Sequence, residues 1–276
     1  MMRKCEGCGE QISDDFAFCP YCGEPKNPLC VEFHDEELQR KIGSILSGTE
    51  RRLQAVIAAF SRYIEAPVVD TIISGDLDRL RGERRRVTVL HSDIRNSSGM
   101  IARLEPEDAL QFLGEHHERM AAAVQAYNGL LDKFIGDGMM AIFSEGEPEE
   151  QALQAARAAL MMRQYVRETS DDWPVPDIPF QIGVSINSGE AVIGSVGSRY
   201  RQDYTAIGAE INYVDDLQQA CKDFCRDIIV STSTRNLLGD DAEVEEVGSV
   251  ARPPHAREEP VFFLRDLIES SQEESQ

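Results

Sequence analysis

The chain has 276 residues, room for one large domain or two modest ones with a proper core. It is 42% hydrophobic and 28% charged, the ordinary balance of a globular protein. Lys and Arg total 28 against 49 Asp and Glu, a net charge of −21. So acidic a surface repels nucleic acid and anionic lipid, and argues against both as partners. No stretch approaches the roughly 20 apolar residues needed to span a bilayer. The N-terminal MMRKCEGCGE lacks the apolar core of a signal peptide, so a cytoplasmic protein is expected.

Residues 1–30 are rich in Cys and turn formers. Cys5 and Cys8, then Cys19 and Cys22, form two Cys-x2-Cys pairs, followed by Gly9 and Gly23. Four thiolates at that spacing supply the tetrahedral ligands of one structural Zn²⁺. The segment resembles the zinc ribbons that precede many bacterial catalytic and regulatory domains, and it is expected to serve as a structural knob or to dock a protein partner. Cys30 stands alone. Cys221 and Cys225 read as semi-buried thiols.

Residues 31–83 form a helical linker or dimerisation segment. Leu38, Ile42, Ile45, Leu53, Val56, Phe60 and Tyr63 recur at helical spacing, and Ser47-Gly-Thr-Glu50 fits a capping box between two helices. From Arg84 the pattern alternates, with Val87, Val89 and His91 on one side of a strand. A helix is expected from about Pro106, with Leu110, Leu113, His117, Met120, Val124 and Tyr127 on one face. Leu130–Ile135 and Met139–Phe143 read as strands around Gly136-Asp137-Gly138. A helix over Glu149–Arg167 follows. Phe180–Asn187 and Ala191–Val196 are expected as two strands around Ser188-Gly189. Then come a helix over Ala209–Lys222, strands at Asp227–Ser231 and Pro260–Leu264, and an acidic tail over 266–276. The order predicts an α+β fold of ferredoxin-like, split β-α-β type over 84–265, with mostly antiparallel strands and helices on one face.

Five ordered motifs carry a resemblance. They are Arg86-Val-Thr-Val-Leu-His-Ser-Asp-Ile-Arg95, Asp132-Lys-Phe-Ile-Gly-Asp-Gly-Met-Met-Ala-Ile-Phe143, Ile182-Gly-Val-Ser-Ile-Asn-Ser-Gly-Glu190, Gly194-Ser-Val-Gly197 and Asp203-Tyr-Thr-Ala-Ile-Gly208. Together they resemble the class III nucleotidyl cyclases. The resemblance implies conversion of a nucleoside triphosphate to a 3′,5′-cyclic nucleotide and pyrophosphate, with two Mg²⁺ or Mn²⁺ per site. It implies that Asp93, Asp137 and the Ile94 carbonyl hold the metals, that Lys133 and Thr205 read the base, and that Asn212 orients the ribose. It also implies a homodimer with shared sites: the aspartates from one chain, Lys133, Thr205 and Asn212 from the other. Hard divalent cations prefer such carboxylates, and two ions can activate the hydroxyl and hold the triphosphate.

Two departures stand out. Arg95-Asn-Ser-Ser98 replaces a Gly-aromatic-Thr turn, and Asp216 occupies the position of an Arg that stabilises α-phosphate charge. Arg95, Arg199, Arg201 and Lys222 are candidate replacements. An ammonium at Lys133 and a hydroxyl at Thr205 suit more than one base. ATP is one expected substrate; UTP or CTP, as in bacterial antiphage signalling cyclases, is the other. A nucleotide-binding pseudocyclase is the alternative from a different class.

Overall fold

A computed structural model of the chain describes residues 2–4, 11–13, 68, 80–170, 175, 177–198, 202–252 and 257–268. The chain divides into two compact units, Met1–Phe60 and Ser61–Gln276. In the first, β1 (Met2–Lys4) pairs antiparallel with β2 (Gln11–Ser13). Cys5 and Cys8 fall between them in sequence. All four expected zinc ligands, the helices expected over 35–66 and the acidic tail from 269 onward lie outside the described residues.

The second unit is built on an eight-stranded sheet. Its path is β4 (Leu130–Ile135), β5 (Gly138–Phe143), β3 (Glu83–Ile94), β6 (Ile182–Gly197), β8 (Ile228–Ser231), β10 (Arg257–Leu267) and β9 (Ala242–Arg252); β7 (Gln202–Ile207) pairs with β6. The helices are α1 (Ser97–Ile101), α2 (Pro106–Ala126), α3 (Pro148–Glu168), α4 (Ala209–Asp223) and α5 (Thr232–Leu238). Pro106 and Pro148 open α2 and α3, where a missing N–H costs nothing. The pairings are antiparallel except β6 with β8.

Helices cover both faces of the sheet, not the one face expected. Leu90, Ile94, Met139, Ala141 and Phe143 pack with α2 and α3, while Val87, Val89, Met140 and Ile142 pack with Ile211 and Val214 of α4. Strand alternation sends successive side chains to opposite faces, and here both sets are apolar, so each face needs a cover. The inward face of α2 also differs from expectation. Leu110 is 75% exposed, and Ala109, His116, Met120, Ala123 and Val124 are the buried positions.

Ser188-Gly189 is no turn. One strand runs through it, paired with β3 from Ile182 opposite Ile94 to Ile193 opposite Glu83. The Ser188 hydroxyl bonds Thr88 at 2.8 Å and Thr234 at 3.0 Å, which satisfies it inside the sheet. A β-carbon on Gly189 would collide with Glu210, whose carboxylate takes the Arg252 guanidinium, so glycine serves a close approach.

Candidate active site

Two clusters gather the residues singled out in the sequence. The first lies where β3 ends beside the β4–β5 turn. The Ile94 amide donates to Asp137 Oδ2 at 3.0 Å, which fixes the tip of the hairpin against the end of β3. Gly138 permits the approach: a β-carbon there would lie 2.7 Å from the Ser92 carbonyl oxygen and 3.4 Å from Asp93 Oδ1. Burial, and then the neighbouring Asp137 carboxylate, hold the Asp93 carboxyl above the ordinary carboxylate range, and Lys222 pulls the other way from 3.4 Å. Two carboxylates crowded at a strand end form a site short of positive charge. That suits a divalent cation, and Asp93 and Asp137 are the residues that would hold it. Among the described residues no group of three or more His, Cys, Asp or Glu is disposed around one point. Further ligands would therefore come from backbone, water or substrate phosphates, as is usual for Mg²⁺.

The second cluster joins β4 to β7. Lys133 Nζ donates to Thr205 Oγ1 at 3.0 Å, and the Thr205 hydroxyl donates to Asp132 Oδ2 at 3.0 Å. Lys133 Nζ is also 3.2 Å from Asp132 Oδ2. Burial pushes the Asp132 carboxyl up, against the pull of Thr205 and Lys133, and its Oδ1 is buried without a hydrogen-bond partner. Adjacent strand residues ordinarily point to opposite faces. A register shift between Leu131 and Lys133 makes Asp132 an extra, bulged residue, and this lets both neighbours reach Thr205. Among the described residues no hydrogen bond or ion pair joins this cluster to Asp93 and Asp137.

Asn212 lies exposed on α4, with its backbone N–H donating to the Gly208 carbonyl at 3.4 Å. Asp216, one turn on, is also exposed; burial and the adjacent Asp215 raise its carboxyl. Of the candidate replacement cations, Lys222 meets Asp93, Arg95 sits half-buried after β3, and Arg199 and Arg201 lie outside the described residues. In the substituted turn, Asn96 has φ 55°, a conformation natural to glycine and one that Asn tolerates better than most residues. Cys221 is buried, as expected in part, but Cys225 is exposed.

Sequence reasoning missed three supporting groups. Asp132 anchors Lys133 and Thr205. Asp215 Oδ1 bonds His91 Nδ1 at 2.8 Å and so ties α4 to β3, two residues before Asp93. His117 stacks on Phe134 at 4.2 Å between ring centroids, and burial lowers it while the Asp137 and Gly136 backbone pulls it up, so it supports the acidic turn and not the core. Its neighbour His116 is buried and pushed down to about 4.

A family model described as the adenylate and guanylate cyclase catalytic domain matches residues 81–264. An adenylate cyclase of Anabaena cylindrica is 28% identical over 195 residues, which cover 67% of this chain and 38% of that protein. The adenylate cyclase 1 of Rhizobium meliloti is 27% identical over 207 residues, covering 74% of this chain and 30% of that one. The chain thus spans about a third of these curated relatives. The crystal structure of the adenylyl cyclase CyaB from P. aeruginosa matches with a TM-score of 0.62 and 28% identity, covering 68% of this chain and 97% of that one. The guanylyl cyclase Cya2 matches with a TM-score of 0.58 and 27% identity, covering 69% and 97%. No helix among the described residues is long and apolar enough to cross a membrane.

Proposed function

Because the chain belongs to the adenylate and guanylate cyclase catalytic-domain family and carries a nucleotide cyclase domain, we propose that it converts a nucleoside triphosphate to a 3′,5′-cyclic nucleotide and pyrophosphate at sites shared between two copies. The observation that carries this reading is the pairing of Asp93 with Asp137 at the end of β3, fixed by the Ile94 amide. In the reaction the ribose 3′ oxygen bonds to the α-phosphorus, the bond to the bridging oxygen of the β-phosphate breaks, and the 3′ proton is lost. Divalent Mg²⁺ or Mn²⁺, two per site, would neutralise the triphosphate and acidify that hydroxyl. Asp93 and Asp137 bind and orient. The exposed Asn212 amide is free to hold the ribose, and Lys133 with Thr205 presents donors and an acceptor to the base.

Two clusters without a bond between them support a site completed by a second copy. The exposed apolar side chains Phe134, Ile135 and Ile207 lie on β4 and β7, the strands that carry Lys133 and Thr205, and a partner chain would cover them. A C2 homodimer gives two equivalent sites. Relatives named as adenylate cyclases favour ATP as the substrate. UTP or CTP, in the manner of antiphage signalling, is the second reading, favoured by the departures at Arg95–Ser98 and at Asp216. Asp216 also supports a pseudocyclase. Cys5, Cys8, Cys19 and Cys22 hold one structural Zn²⁺ in this proposal, as a docking knob for a protein partner. The test is incubation of the purified protein with each of ATP, GTP, CTP and UTP plus Mn²⁺, with mass detection of products. A cyclic nucleotide from wild type, absent with Asp93→Ala or Asp137→Ala, is expected. Nucleotide bound but never cyclised refutes the enzyme reading.

A further inference from the structure

A cavity of about 730 Å³ opens where β3 ends and β6 and β8 begin, between the C-terminal ends of α3 and α4. Among the described residues its lining holds five cations, Arg95, Arg163, Arg167, Lys222 and Arg226, against one carboxylate, Asp227. In a chain with 49 acidic and 28 basic residues, that inversion of charge is local and concentrated.

Apart from Arg163, whose guanidinium donates to the Leu264 and Arg265 carbonyl oxygens at 3.3 and 2.7 Å, the cations have only long charged contacts among the described residues. Arg163 and Arg167 share Asp227 Oδ2 at 4.0 and 3.9 Å. Arg226 is 3.7 Å from Glu245, and Lys222 is 3.4 Å from Asp93. Hydrogen bonds to charged groups run shorter, about 2.7–2.9 Å. Among the described residues both Nη atoms of Arg95 are buried and find no oxygen acceptor, the Cys221 thiol being their one polar neighbour. That guanidinium packs against β6 at Gly183, where any β-carbon would collide with it. The Cys221 thiol turns its own proton to the Val184 carbonyl at 3.4 Å. Burial holds the Arg163 guanidinium below its ordinary range, Arg167 adds to this, and Asp227 offsets it only in part. The buried Arg95 donors, without an oxygen acceptor among the described residues of a cationic cavity, call for an anion with several oxygens, and guanidinium forks match phosphate oxygens two at a time.

We propose that this pocket binds a phosphate-class oxyanion, and that Lys222 couples it to the metal site. Lys222 lines the cavity and reaches Asp93. An anion in the pocket competes for the ammonium, which leaves Asp93 freer to bind a divalent cation. By linkage the cation then tightens the anion. The pocket stands independently of the catalytic reading, whereas the coupling rests on Asp93 as a metal ligand.

The experiment begins with calorimetric titration of inorganic phosphate into the metal-free, full-length protein. Arg167 is exposed on α3, so Arg167→Glu retains the fold, checked by its melting temperature; Arg95→Gln is the second variant. Saturable binding by wild type, weakened at least tenfold in Arg167→Glu, is expected. No saturable binding, or equal binding in both variants, overturns the pocket. Parallel titrations with pyrophosphate and a nucleoside 5′-monophosphate identify the source of the phosphate group as the Arg167-dependent ligand that binds most tightly. Mn²⁺ binding, followed by the free-ion resonance signal, then reads the coupling. Phosphate should tighten Mn²⁺ several-fold in wild type and not in Lys222→Gln; an equal effect in both overturns it. Phosphate binding with no Mn²⁺ binding refutes Asp93 as a metal ligand, and normal Mn²⁺ binding with no phosphate binding refutes the pocket.

Discussion

Replacing Asp132 with Asn separates recognition from folding. The carboxylate is fully buried, yet only Oδ2 has partners, the Thr205 hydroxyl at 3.0 Å and Lys133 at 3.2 Å. Burial outweighs those partners and raises the carboxyl, so the folded state holds the proton more tightly than the unfolded chain. Wild-type stability therefore falls as pH rises from the ordinary carboxylate range through the raised value, and stays lower above it. The amide has the same shape and its oxygen can still accept from Thr205, but it carries no charge. At pH 7.5 Asp132→Asn should be more stable by about 1 kcal/mol, or about 2–4 °C in melting temperature for a unit of this size. At pH 3.5, with the carboxyl protonated in both states, the difference should vanish. Catalysis should move the other way. Lys133 and Thr205 lose a charged anchor worth about 1.5–3 kcal/mol, so kcat/KM should fall roughly 10- to 100-fold. Melting curves at both pH values and initial rates on the preferred nucleotide test the pair. A variant that melts several degrees lower at pH 7.5 would refute the reasoning, because Asp132 would then be an ordinary structural hydrogen-bond acceptor.

Inactive Asp137→Ala and inactive Lys133→Ala, co-expressed, should regain activity, because about half of randomly formed dimers are mixed and each retains one intact site; inactivity despite demonstrated mixed dimers would place each site within one chain. Asp216→Arg should raise turnover, toward the roughly 10²–10³ attached to one such donor. A fall would mean that another cation already serves, and silence in both forms on all four nucleotides, with binding retained, would leave a pseudocyclase. Protein purified without added metal should contain one zinc per chain by elemental analysis, and a content near zero with four titratable thiols in the first 30 residues would dismiss the zinc ribbon.

Much of the candidate site could be read from residue order because Asp93 and Lys133 sit in strands, and Asp137 in a tight turn, with strong local signals. Val87, Val89 and Leu90 mark β3, and the Asp-Gly pair after Ile135 marks the β4–β5 turn. The losses have physical causes. β9 runs Ala-Glu-Val-Glu-Glu-Val at the edge of the sheet, half exposed, and so lacks the apolar run of a central strand. Ser188-Gly189 has the composition of a turn, and only the long-range partners Thr88, Thr234 and Glu210 make it part of a strand. That helices cover both faces follows from which elements meet α4, a tertiary fact. Asp132 was hidden because strict alternation would turn it away from Lys133, and a bulge has no local signature here.

That bulge gives β4, the strand of Lys133, an unusual freedom. Before it, Leu131 faces Ala141; after it, Lys133, Phe134 and Ile135 face Met140, Met139 and Gly138. The partner strand thus accounts for every residue except Asp132, which is an insert the hairpin does not count. Removing it would leave both flanks in their present pairing and the turn bearing Asp137 where it is. The chain can therefore gain, lose or exchange the group behind Lys133 and Thr205 without re-registering the hairpin that presents Asp137, the proposed metal ligand. In the proposed roles, base recognition and metal binding sit five residues apart or fewer on one hairpin, yet they are free to change separately.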